Sequence, residues 1–324
     1  LIFNSVAFKD IRNKSMERIL VPLDFSVYSQ KALEAASYIA LQKHCEVRLL
    51  HVVQQVYVPK IGSFGDPLFE DELQMDYQAR IMEVKQRLLN SFVDQLKLKG
   101  VKASGTIAQG KVSKEVLLYA TEEEVDLIIV GKKGESDIED VLFGSTTLKL
   151  IRKSSIPLLI LKNTEAPFKI KTIVFASDFA EPVQRIIARV KRMATDFQAQ
   201  LHFLKVLTPN KSIPEAKIQK TLDEIRDEFQ LESNPVHMVM DKTEEEGILH
   251  FTRQVNADIV CLVSHEKTGL ERFFSDSISE NIVKESDCAI VTYKHREQMS
   301  AGKAAVKQQR KLSLKDKQWK KEDL

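Results

Sequence analysis

Residues 125–134 read Val125-Asp126-Leu127-Ile128-Ile129-Val130-Gly131-Lys132-Lys133-Gly134, and Leu142-Phe143-Gly144-Ser145-Thr146 follows after a polar stretch. The aliphatic and β-branched run predicts a strand buried on both faces, as in a parallel sheet between two helix layers. Glycines begin where that strand ends. A glycine admits positive φ and lets a ligand approach where a Cβ would stand, so two glycines around two lysines suggest a loop whose N–H groups face an anion. Gly144-Ser145-Thr146 then opens a helical pattern carried by Leu148 and Ile151, and a helix start supplies free N–H donors and a positive dipole end. Ordinary turn glycines would read the same way one at a time. Three glycines, a hydroxyl pair and a helix start, all after one buried strand, favour a phosphate site.

Upstream, Ile19-Leu20-Val21-Pro22-Leu23-Asp24-Phe25-Ser26 is a short strand ending at Pro and Asp. Ala32, Ala35, Ala36, Ile39 and Ala40 follow at helical spacing, a stripe of small side chains suited to close packing on a sheet. Val47–Val53 is a second strand, so the order strand, helix, strand predicts a right-handed parallel unit. Residues 54–78 look irregular, with Pro59, Gly62, Gly65 and Pro67 as breakers; such a loop could fold over a ligand or be a surface insertion. A helix through Ile81, Val84, Leu88, Phe92 and Leu96 stops at Gly100, a third strand covers 101–108, and Ser113 is expected to cap the next helix. Ile156–Leu161 closes the unit as a fifth strand.

The plan then repeats. Thr172–Phe179 matches the segment from Arg18 at an offset of 154, including the strand-end Asp and the Phe after it, and Lys205 falls where His51 stood. From Asp126 to Lys162 the second copy aligns without a gap at an offset of 132. Gly131 becomes Val263, Gly134 becomes Glu266, Gly144 becomes Asp276, and Ser145 is kept as Ser277. Two unit charges about 4 Å apart repel by roughly 4 kcal/mol at an effective dielectric of 20, about half the binding free energy of a micromolar complex. The second copy is therefore not expected to take a triphosphate in this way.

The spacing Gly131, Gly134, nine residues, Gly144-Ser145 resembles the nucleotide motif of the universal stress protein family, and the resemblance covers both halves as a tandem protein. It implies two doubly wound five-stranded parallel-sheet α/β domains of strand order 3-2-1-4-5, adenine nucleotide alpha hydrolase-like: residues 16–163 nucleotide-binding, 168–294 degenerate. Residues 295–324 form a basic tail expected to be disordered. In open α/β sheets ligands sit where strand order reverses, and the Pro22–Asp24 corner and the glycine loop both fall there. By the resemblance Asp24 would meet the ribose or adenine side, with Pro22 and Val52 lining the base pocket. Gly131, Gly134, Gly144, Ser145 and Thr146 would hold the phosphates of ATP, and Mg²⁺ would be reached through those phosphates. Lys132 and Lys133 go beyond the motif, and Asp24 could instead cap the following helix.

The resemblance implies stress response or signalling rather than turnover, a cytoplasmic location, an intramolecular pseudo-dimer of the two halves and a homodimer as a further assembly. An unidentified protein partner is part of that expectation. Slow ATP hydrolysis is the first alternative, although no base or positioned water can be named. A nucleotide-free interaction scaffold is the second.

Composition sets outer bounds. In 324 residues, 43% hydrophobic and 29% charged, there is room for two cores of ordinary size. The formal charge of +2 conceals a tail with nine Lys or Arg against four Asp or Glu, so the body is slightly acidic and gives no general nucleic-acid signal. No apolar run approaches a membrane span. Residues 1–15 precede a plausible start at Met16 and are left out of the expected fold. Cys261 and Cys288 are expected in the core, no cysteine spacing suits a metal, and a reducing compartment fits. His51 stands beside the expected base pocket without a Ser or Cys partner, which favours a structural role.

Overall fold

Arg18–Pro22 forms the first strand, β1, and its centre, Ile19, Leu20 and Val21, has no solvent exposure. The computed structural model describes residues 16–54, 67–131, 145–162, 167–179, 183–211, 214–231, 233–265 and 276–295. After β1 come α1 (Val27–Lys43), β2 (Glu46–Val53), α2 (Pro67–Leu98), β3 (Ala103–Gln109), α3 (Val112–Glu122), β4 (Leu127–Gly131), α4 (Ser145–Lys153) and β5 (Leu158–Leu161). The second half gives β6 (Thr172–Ala176), α5 (Gln184–Asp196), β7 (Gln200–Leu207), α6 (Glu215–Phe229), β8 (Val236–Met240), α7 (Glu244–Gln254), β9 (Ile259–His265), α8 (Asp276–Glu285) and β10 (Ala289–His295).

All these strands share one sheet, in the order β3-β2-β1-β4-β5-β10-β9-β6-β7-β8. Each half has the order 3-2-1-4-5 in its own count and is parallel throughout. The halves meet where β5 and β10 pair antiparallel, Leu159 opposite Val291 and Ile160 opposite Ile290. The registers repeat as the offsets require. Ile19 pairs with Leu127 in the first half, and Ile173 with Ile259 in the second.

Strand residues alternate between two apolar layers, the period-2 rule for a sheet covered on both faces. Ile19, Val21, Val47 and Leu49 pack with α1 and α2, in a layer that continues through Phe175 and Phe203 to α5 and α6. Leu20, Leu50, Ile128 and Val130 pack with α3 and α4, continuing through Val260 and Leu262 to α7 and α8. The expected alanine stripe of α1 is buried in full. A carboxylate at each fourth-strand entry ties down the first strand: Asp126 Oδ2 accepts from the N–H of Glu17 at 2.8 Å, and Asp258 Oδ2 from those of Lys171 and Thr172 at 2.8 and 2.9 Å.

Two expectations are corrected, and one residue joins the core unannounced. The stretch 54–78 is irregular only in part, because α2 already runs from Pro67; a proline lacks an N–H that a first helical turn does not use, so Pro67 begins the helix instead of breaking it. Residues 55–66 lie outside the described residues. Ser113 does not cap α3: Lys111 is the N-cap, and Ser113 is the helix's second residue, 7% exposed. Cys261 is fully buried and Cys288 partly buried, as expected, and Cys45 also joins the core at 3% exposure. Residues 1–15 and the tail from 296 also lie outside the described residues. Among the described residues no helix is long and apolar enough to cross a membrane.

Candidate functional site

Strand order reverses between β1 and β4, so the carboxyl ends of these strands open the crevice of the first half. β1 ends at Pro22, which lies on the α3/α4 face with Leu20 two residues before it. Asp24 follows on the surface, and its Oδ1 accepts from the Ser26 N–H at 3.0 Å and the Ser26 hydroxyl at 2.6 Å. Ser26 in turn caps α1, its Oγ accepting from the Ser29 N–H at 3.3 Å. Asp24 is thus a brace for the cap and not the cap itself. Burial pushes this carboxyl up, but the hydrogen bonds from Ser26 and Ser29 outweigh that and hold it below the usual carboxylate value.

Phe25 has φ of 68° and its counterpart Phe179 has 60°, a left-handed conformation that bulky residues seldom adopt. The turn aims each ring back under the sheet. The Phe25 centroid lies 4.4 Å from that of His51, and His51 Nδ1 is 2.7 Å from the Leu23 carbonyl oxygen. In the second half Lys205, at the position of His51, donates to the Asp178 carbonyl. A cationic or imidazole donor from the second strand secures the strand-end turn in both copies, which gives His51 its structural role.

Gly131 ends β4, and a Cβ there would lie 2.0 Å from the carbonyl oxygen of Tyr28 in the first turn of α1. This glycine is needed for helix-on-strand contact whether or not a ligand approaches it. Lys132, Lys133, Gly134 and Gly144 lie outside the described residues. Ser145 and Thr146 begin α4, as expected of a helix opening after the glycine motif. Val52, part-buried, packs on the layer formed with α3 and α4.

On that same face, a cavity of about 430 Å³ is bounded by Gln54 beyond β2, Gly110 beyond β3, the first turn of α3, and Thr146 and Lys149 of α4. Two helix N-termini therefore look into one space. Of the expected site residues that are among the described ones, Thr146 alone lines it. The sequence reading missed Lys111, Ser113 and Lys149, whose residue types carry no signal until α3 and α4 are placed side by side.

Nothing described here supplies an activated nucleophile. Burial pushes the Cys45 thiol up to about 11 and raises Cys261 and Cys288 as well. His51, His202 and His237 are all lowered, chiefly by burial; the last two lie with ring nitrogens 3.1 Å apart. A histidine lowered in the fold takes its proton more readily when unfolded, so its stabilising share is complete above pH 6.5 and is lost as pH falls toward the folded value. Asp24 acts lower down, losing its share as pH falls below about 3.8. The urea midpoint is therefore expected to fall between pH 7.5 and pH 5, and less so in a His202→Phe, His237→Phe variant. Equal midpoints at the two pH values in the native chain would contradict this.

Two tandem doubly wound units in one sheet, with a Pro-Leu-Asp-Phe corner after the first strand and a Ser-Thr helix start after the fourth, define a narrow class of α/β protein. The chain belongs to the universal stress protein family, whose profile matches residues 16–162 and 169–294. Universal stress protein YxiE of Bacillus subtilis is 29% identical over 145 residues, 45% of this chain and 98% of that protein. Universal stress protein MJ0577 of Methanocaldococcus jannaschii is 29% identical over 153 residues, 45% of this chain and 94% of that one. Among solved structures, a universal stress protein from Archaeoglobus fulgidus aligns over 87% of this chain and 99% of its own, with a TM-score of 0.69 and 19% identity, a likeness of fold.

Proposed function

We propose that the protein is a nucleotide-responsive universal stress protein whose first half, residues 16–163, binds ATP while its second half, 168–294, serves as a structural or partner-binding copy. The observation that carries this reading is the cavity at the strand ends of the first half, where the first turns of α3 and α4 converge beside the switch point. Donors of this kind suit a polyphosphate. Asp24, an exposed carboxylate at the corner, suits a ribose hydroxyl, and Pro22 and Val52 lie on the face where a base would rest. Gly131, Gly134, Gly144, Ser145 and Thr146 would hold the phosphates, and Mg²⁺ would enter with them.

The β5–β10 junction supports an intramolecular pseudo-dimer, and a homodimer of such chains would extend it. A cytoplasmic role in stress response or signalling through a protein partner completes the reading.

The test is ATP affinity by calorimetry on the purified chain and on Gly134→Glu, which copies the residue at 266. The variant is expected to lose at least about a hundredfold, since an anion about 4 Å from a phosphate costs roughly 4 kcal/mol at an effective dielectric of 20. Unchanged affinity would remove the glycine loop from the site. Steady phosphate release from saturating ATP and Mg²⁺, abolished in Asp24→Ala, would instead support the hydrolase alternative.

A further inference from the structure

The second residue of α3, Ser113, is 7% exposed, lines the cavity, and makes no hydrogen bond through its hydroxyl among the described residues. The hydroxyl keeps some accessible surface, so it is open to the cavity as a donor. Its helix also begins without a capping side chain: Lys111 stands at the N-cap and makes no cap hydrogen bond, and the first turn carries one carboxylate, Glu115. Lys111 and Lys149 flank the cavity from α3 and α4, and neither forms an ion pair among the described residues. A hydroxyl donor, an uncapped helix start and two lysines thus line one space.

The second half is built the opposite way. Its corresponding helix, α7, is capped by Thr243, whose hydroxyl accepts from the Glu246 N–H at 3.1 Å. The first turn of α7 carries Glu244, Glu245 and Glu246, so Glu245 occupies the place that Ser113 holds in α3. At the offset of 132, Thr146 and Lys149 become Ile278 and Asn281. Capping and carboxylates fill the role that the first half leaves for an external anion.

We infer that the cavity between α3 and α4 holds phosphate through residues outside the glycine loop, with the Ser113 hydroxyl donating to a phosphate oxygen and Lys111 and Lys149 neutralising its charge. The phosphate is free or carried by a nucleotide. The inference rests on the proposed nucleotide reading, whose cavity it shares, and adds to it three residues that do not belong to the glycine loop. Glu115 lies nearby: a Cβ on Gly110 would be 2.7 Å from its Oε1. That carboxylate opposes an anion and tunes the affinity downward.

Binding of pyrophosphate, ATP and adenosine to the full chain, followed by calorimetry, tests the site. Ser113→Ala and Lys149→Gln are each expected to weaken pyrophosphate about tenfold, the loss of one hydrogen bond to a charged group. Ser113→Glu should abolish pyrophosphate binding, Glu115→Gln should tighten it, and adenosine should be unaffected by all four. Melting curves of Ser113→Ala and Lys149→Gln, which leave the backbone unstressed, show that the fold is kept. If ATP binds but these two variants bind ATP and pyrophosphate as the native chain does, this site is wrong and the glycine-loop reading survives. If pyrophosphate binds and the variants weaken it while Gly134→Glu leaves ATP affinity unchanged, this site stands and the loop reading fails. No pyrophosphate binding by the native chain overturns the inference outright.

Discussion

Gly131→Val is expected to cost on the order of 3–5 kcal/mol of stability, more than a usual overpacked core substitution. The reason lies in what the new Cβ would meet. It would stand 2.0 Å from the Tyr28 carbonyl oxygen and 2.5 Å from the carbonyl carbon, both main-chain atoms that cannot rotate away. Relief requires α1 to withdraw from β4, and α1 is anchored by its alanine stripe and by the Ser26 cap. The second half shows how a valine is accommodated at this place. Val263 is 1% exposed, but α5 starts only at Gln184, the equivalent of Gln30 and three residues later than the start of α1. The variant should melt well below the native chain and lose ATP affinity with it, because the β1–β4 crevice deforms. Gly134→Glu should lose affinity with little change in melting. A Gly131→Val chain as stable as the native one would show that α1 can retreat at no cost, and the packing explanation would go.

This pair of glycines marks the boundary of what sequence can disclose. Strand, helix and offset were all legible, since buried parallel strands read as apolar runs and the 154 and 132 offsets reappear as identical registers. Gly131 and Gly134 look alike as letters, yet Gly131 answers to a helix distant in sequence, and only the tertiary approach of Tyr28 shows it. Asp24 and Phe25 were visible as a repeated pair. The left-handed turn that places Phe25 against His51 was not, because φ at a bulky residue is set by what surrounds it. Ser113 went astray for a related reason. A serine before an apolar run is a sound capping signal, but the helix started two residues earlier and carried the hydroxyl inside, toward the space shared with α4.

Phe203→Ala is expected to remove about 3–5 kcal/mol, the range for emptying a fully buried aromatic site. The ring has no exposure, and its centroid lies 5.7 Å from that of Phe175 and 6.4 Å from that of Phe179. Its first-half equivalent is Leu49, so the second half has filled with aromatic rings a layer that the first half builds from aliphatic ones and the Phe25–His51 contact. How the loss spreads depends on the seam. Leu159 and Ile160 pair with Val291 and Ile290, Lys162 and Arg253 both hold Asp287 at 2.8 Å, and Lys43 of α1 reaches Asp196 of α5. Two apolar layers also run unbroken across the junction. With that much shared structure the whole chain should unfold in a single transition, displaced to lower urea by the substitution, while ATP affinity measured in native buffer stays unchanged because the crevice lies in the other half. Two separated transitions, the later one matching the native midpoint, would mean that the seam joins the halves without coupling them, and that the second copy stabilises nothing beyond itself.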